Sequence, residues 1–150
     1  MRENVDYTRI PIKDTRNFNL KEQGMSVPFC QHIHINCCDL KAMVDFWIKG
    51  FDARVEEFRK FGELDGAVLD INSGQTKLYL REQQGERQDK TPPRSGVDHI
   101  GMMVPNLDKA LVDLTALPGV TLARTPFMSK EIRCAFINGP DGISIEVMEY

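Results

Sequence analysis

Hydrophobic and polar positions along the chain change period twice, in the same order. Across "FCQHIHINC" (29–37) apolar and polar residues alternate, the period of a half-buried strand. Asp39 then stands where a helix N-cap is expected. Leu40, Met43, Val44 and Trp47 follow at i, i+3, i+4 and i+7, one face of a helix. Gly50 occupies the place of a helix-terminating glycine. Three strand-like runs come next, at about 52–59, 64–72 and 76–82, with "NSGQ" (72–75) as a tight turn. The stretch "QQGERQDKTPPR" has no apolar period and lies in a connector spanning 83–95.

The order then repeats. "GVDHIGMMV" reads as a strand. Leu107, Ala110, Leu111 and Leu114 mark a helix face, and "PG" at 118–119 breaks it. "VTLART", "EIRCAFIN" and "ISIEVMEY" read as three more strands, with "GPDG" (139–142) as the turn before the last. A displacement of 67 residues carries His32 onto His99, Leu40 onto Leu107, and Leu78 and Leu80 onto Ile145 and Val147. Internal duplication of one supersecondary unit explains this. The expected class is α+β: two tandem βαβββ modules, residues 29–82 and 96–150, forming a curved, mostly antiparallel sheet around a cleft. The two equivalent first strands are expected to face each other across it. Residues 1–28 show no clear period and read as an N-terminal extension before a domain at 29–150.

Composition narrows the function classes. Of the 150 residues, 41% are hydrophobic and 27% charged, which describes a globular domain and argues against a disordered one. The net charge is −3 and there is no basic stripe, which argues against a nucleic-acid partner. No apolar run approaches the roughly 20 residues of a membrane span, so no membrane association is expected. The polar, mixed-charge N-terminus reads as neither a signal nor a transit peptide, and the expected location is cytoplasmic. Cys30, Cys37, Cys38 and Cys134 have no C-x-x-C or zinc spacing. They read as reduced thiols, a redox or thiol-ligand role being the alternative.

Strand parity groups the polar residues. His32, His34 and Asn36 share a face; His99, Gly101 and Met103 share another. Ser144, Glu146 and Met148 lie opposite the core-directed Ile143, Ile145 and Val147. Two histidines at duplicate positions and one glutamate on a last strand make a two-His, one-carboxylate set. Such a set suits Fe(II), Mn(II), Ni(II) or Zn(II), and three protein ligands leave positions open for substrate. The alternative is that the histidines make ordinary hydrogen bonds within the fold and Glu146 meets water.

"CQHIHINCCDLKAMVDFWIKGF", "GVDHIGMMVPNLDKAL" and "FINGPDGISIEVME" resemble the glyoxalase, bleomycin-resistance and extradiol-dioxygenase superfamily, the vicinal oxygen chelate proteins. The resemblance spans about residues 28–150. It implies metal ligands at His32, His99 and Glu146 and a small-molecule substrate bound through two adjacent oxygens. It also implies a homodimer, with modules paired between chains. One departure is informative: the displacement takes Glu146 to Tyr79, where glyoxalase I and methylmalonyl-CoA epimerase usually carry a fourth ligand. Neutral tyrosine, with a reference pKa of about 10, is a poor substitute. A three-ligand site resembles those of extradiol dioxygenases and fosfomycin-resistance thiol transferases, so an Fe(II) dioxygenase-like reaction is favoured. His34 would move protons and Tyr79 would orient the substrate. Phe136, where catechol dioxygenases often carry a tyrosine, counts against a true catechol substrate. The alternatives are a metal-dependent isomerase, epimerase or glyoxalase-like lyase, with Glu63 or His34 as the base, and a drug-sequestering protein without catalysis.

Overall fold

A computed structural model describes residues 30–71, 76–84 and 96–150. The expected extension 1–28, the expected turn 72–75 and residues 85–95 of the expected connector lie outside the described residues. The first module runs β1 (His32–Cys37), α1 (Leu40–Phe51), β2 (Arg54–Phe61), β3 (Leu64–Asp70) and β4 (Lys77–Glu82). The second runs β5 (Ile100–Val104), α2 (Leu107–Thr115), β6 (Thr121–Ser129), β7 (Ile132–Asn138) and β8 (Ser144–Glu149).

Each module forms one four-stranded sheet, in the orders β1-β4-β3-β2 and β5-β8-β7-β6. Neighbours in a hairpin pair antiparallel, but β1 pairs parallel with β4, and β5 with β8. A parallel pair needs a crossover, and here the helix and the following hairpin provide it.

The duplication extends to the helix starts. The Asp39 carboxylate accepts from the Ala42 amide at 2.9 Å, and the Asn106 side chain from the Lys109 amide at 2.8 Å. The glutamate ending each last strand reaches the first helical N–H: Glu82 accepts from Leu40 at 3.1 Å and Glu149 from Leu107 at 3.3 Å. Orphan donors of a helix N-terminus are thus satisfied by equivalent residues in both halves. The end of α1 departs from expectation. The helix continues to Phe51, and Asp52, at φ 54°, takes the left-handed cap. Gly50 serves close packing instead: a Cβ there would meet Leu114 Cδ2 at 2.7 Å.

Alternate residues of the central strands turn inward. Leu69, Leu78 and Leu80 from one sheet and Ile137, Ile145 and Val147 from the other are fully buried. They join Met43, Phe46 and Trp47 of α1 and Leu107 and Leu114 of α2 in one continuous core. The halves meet mainly through α1 against α2 and against the turn Pro140–Gly142. The Asp141 carboxylate also accepts from the Cys38 amide at 2.8 Å. Among the described residues no hydrogen-bonded pairing joins the two sheets, which are not closed on one another. Among the described residues, His32 at the start of β1 and the His99–Glu146 pair of the second sheet are not grouped around one metal position. Both helices and both apolar sheet faces bury their area in one shared core, and the opposite face of the first sheet carries His32 and His34 exposed.

Candidate functional site

The open face of the second sheet carries a histidine–carboxylate pair. His99 lies just before β5, and Glu146 sits opposite Gly101 on β5 and Phe136 on β7. His99 Nε2 is 3.1 Å from Glu146 Oε2, and His99 Nδ1 is 2.8 Å from Asp98 Oδ2. The Asp98 hydrogen bond above all, opposed by burial and helped by Glu146, raises the imidazole pKa above its ordinary value. A carboxylate on Nδ1 fixes the ring so that Nε2 projects towards Glu146, as in many metal-bound imidazoles. The Phe136 ring stands edge-on to His99 at 5.1 Å and stacks with Phe127 at 6.1 Å. The Arg124 guanidinium lies 3.5 Å over the Phe127 ring. Cys134 lies on the same face, and burial first, then its hydrogen bond to Glu146, pushes its thiol pKa up.

The open face of the first sheet carries the equivalent positions with different chemistry. His32 stacks on Tyr79, centroids 4.2 Å apart and planes 14° from parallel. Its Nδ1 is 2.6 Å from Gln31 Oε1. His34 sits opposite Tyr79 across the β1–β4 pair, 5.0 Å from the Phe61 ring. Burial, then the charges of Arg81 and His32, lowers its pKa, which favours the neutral ring. Where His99 meets a carboxylate at position 146, His32 meets a phenol ring at the duplicate position 79.

The structure thus brings His99 to Glu146, and gathers His32, His34 and Tyr79. It does not bring His32 to the other two within the chain. Among the described residues no three His, Cys, Asp or Glu side chains are grouped to hold a metal ion. Glu63 lies exposed in the turn between β2 and β3, its carbonyl accepting from Lys60 Nζ at 3.5 Å. Several neighbours are additional to those expected. Arg81 was legible in "KLYLRE", because period-two parity puts it on the face of Tyr79. Asp98 was legible as the neighbour of His99. Phe61, Arg124 and Phe127 come from edge strands whose bulges, at Val55/Glu57 and Leu122/Arg124/Phe127, break the parity that would have placed them.

Comparison with known proteins assigns the class. The sequence profile of the Glyoxalase/Bleomycin resistance protein/Dioxygenase superfamily matches residues 30–147, and the chain belongs to that family. No curated protein matches the sequence. Among solved structures, the chain is similar to a glyoxylase/bleomycin resistance protein/dioxygenase domain from Frankia (20% identity, TM-score 0.66, covering 83% of this chain and 98% of that one). It is also similar to glyoxalase I from Zea mays (19%, TM-score 0.65, 81% of this chain and 44% of that one). An antibiotic binding protein from a Streptomyces species is another (17%, TM-score 0.63, 83% and 98%). These likenesses establish the vicinal oxygen chelate fold, in a family that holds both enzymes and binding proteins.

Proposed function

We propose that this protein is a divalent-metal enzyme whose site is completed between two copies. His99 and Glu146 of one chain and His32 of the partner subunit would hold the ion. The observation that carries this reading is the His99–Glu146 pair, 3.1 Å apart and half-buried on one sheet face, with His32 exposed on the corresponding face of the other sheet. Two of three donors are already adjacent, and imidazole and carboxylate suit Fe(II) first, with Mn(II), Ni(II) or Zn(II) as alternatives. Divalent metals are common in the family. A bound cation would supply Lewis-acid stabilisation of negative charge on two adjacent substrate oxygens. His34, favoured as the neutral ring, is the group to accept and return a proton, and the Tyr79 hydroxyl would orient the substrate. An Fe(II) dioxygenase-like reaction in the cytoplasm is the favoured chemistry. Isomerase or lyase chemistry would instead use His34 or Glu63 to remove a proton next to a carbonyl.

A second reading, a binding protein without catalysis, draws support from the aromatic groups on both open faces. The likeness to an antibiotic binding protein agrees with it. Metal analysis of protein purified without chelators separates the two. The enzyme reading expects about one ion per chain, lost in both His32→Ala and His99→Ala. Mixing those two variants, unfolding and refolding them together, expects recovery of about a quarter of the wild-type metal, because half the dimers then carry one intact site of two. No recovery on mixing would refute the shared site, and a metal-free wild type would refute the enzyme. An oxygen electrode then separates dioxygenase from isomerase.

A further inference from the structure

Beyond metal ligation, the histidine-bearing face of the first sheet holds a cation that, among the described residues, has no acidic partner, beside an aromatic wall. Its three central rows are set by register: His32 with Lys77 and Asp70, His34 with Tyr79 and Val68, and Asn36 with Arg81 and Gly66. The other cations of this sheet are matched with carboxylates. Arg54 pairs with Asp70 at 3.4 Å, Lys77 with Glu56 at 2.6 Å, Arg59 with Glu57 at 3.1 Å and Lys60 with Asp65 at 2.8 Å. Arg81 differs. Among the described residues its hydrogen-bonding partners are neutral amides: Nε donates to Asn36 Oδ1 at 3.0 Å and a terminal nitrogen to Gln83 Oε1 at 3.2 Å. Among the described residues, two amide oxygens hold the guanidinium, no carboxylate pairs with it, and its remaining N–H donors have no partner.

The wall beside it is aromatic, with the Arg59 guanidinium 5.3 Å from the centre of the Phe61 ring. Phe61 lies over Gly66, the residue next to Arg81 in register; a Cβ at Gly66 would meet Phe61 Cδ2 at 2.5 Å. Phe61 in turn lies 5.7 Å from Tyr79, which stacks on His32. We propose that this face binds a planar, ring-bearing organic anion, with its carboxylate or equivalent acid group on Arg81 and its ring along Phe61 and Tyr79. This deepens the function proposed above by naming the substrate class of the same cleft. It rests on that reading only for where the reacting oxygens lie.

The probe is 2-naphthoate, with neutral 2-naphthamide as its partner, titrated by calorimetry in the presence of EDTA. EDTA withholds divalent cations from the naphthoate carboxylate, so this binding is read without the metal. Charge-assisted bonding to a guanidinium predicts that the acid binds roughly tenfold or more tighter than the amide. Arg81→Gln should abolish that preference, and Arg81→Lys, which keeps the charge but not the fork, should retain part of it. Arg54→Gln, which removes a carboxylate-paired cation from the same sheet, should leave it intact. Equal affinity for acid and amide in the wild type, no saturable binding at millimolar naphthoate, or an equal loss in Arg54→Gln would each overturn the proposal. The wild-type comparison stands whether or not a variant folds. Preserved discrimination with no metal uptake would refute the enzyme and leave the anion site standing. Metal uptake without discrimination would do the reverse.

Discussion

At Gly66 the missing side chain decides what the first sheet can present. A Cβ would run into the Leu80 carbonyl and the Phe61 ring, the first being backbone that cannot step aside. Gly66→Ala should therefore cost about 1–3 kcal/mol, the usual scale of overpacking. Urea denaturation would measure it, and the loss of upfield ring-current shifts near Phe61 would show the aromatic wall opening. Cys37 supplies a pH test. It is 1% exposed, and burial, followed by the charges of Asp141 and Glu82, pushes its thiol up to about 12. In the unfolded chain the thiol ionises at its ordinary value, 9.0. The folded state thus holds the proton more tightly, and this contribution is complete below the unfolded value. It is lost as pH climbs from about 9 to about 12. Wild-type stability should fall over that window more steeply than that of Cys37→Ala, as read by denaturant midpoints at successive pH values. At this scale much of the site was legible. The parity of "HIHIN" and "ISIEV" placed His32, His34 and Glu146 away from the core, as their side chains are found. It could not show that Tyr79 stacks on His32 while Glu146 bonds His99, because that depends on side-chain directions across a parallel pair.

Among the elements, the helix starts do the most to reproduce one module in the other. Asp39 and Asn106 each accept a hydrogen bond from the amide three residues on, and Glu82 and Glu149 cover the first helical N–H from a neighbouring strand. Asp39→Ala and Asn106→Ala should each cost about 1 kcal/mol. Thermal or urea unfolding would check this, and the two losses should add, because the caps share no partner. Asp39 announced its role by standing one residue before an i, i+3, i+4 apolar run. Glu82 and Glu149 gave no such sign, since their contacts span 42 residues of sequence. Gly50 illustrates the opposite case. Glycine near a helix end favours termination on local grounds, yet the left-handed cap is Asp52, and Gly50 is needed where Leu114 of α2 comes close. Local propensity was overruled there by packing between modules.

For the whole molecule, sequence period identifies which face of each element is apolar but not what covers it. The face carrying Ile145 and Val147 was read as inward and is buried, and so are their duplicate counterparts Leu78 and Leu80. Whether the modules would meet through these faces and their helices, or across the histidine-bearing faces, was not encoded in any single segment. The chain takes the first course, and the consequence is thermodynamic as well as functional. Because α1, α2 and both sheets share one core, the modules should not unfold separately. Leu114 of α2 is fully buried and packs against Gly50 of α1, so Leu114→Ala should cost about 2–5 kcal/mol. If the core is cooperative, that loss will appear equally in the slowest-exchanging amides of β4 in the first module and β8 in the second, measured by native-state hydrogen exchange. A loss confined to the second module would mean that the two halves are separately stable. Equal losses would mean that the two modules open as one unit, as a core shared by α1, α2 and both sheets requires.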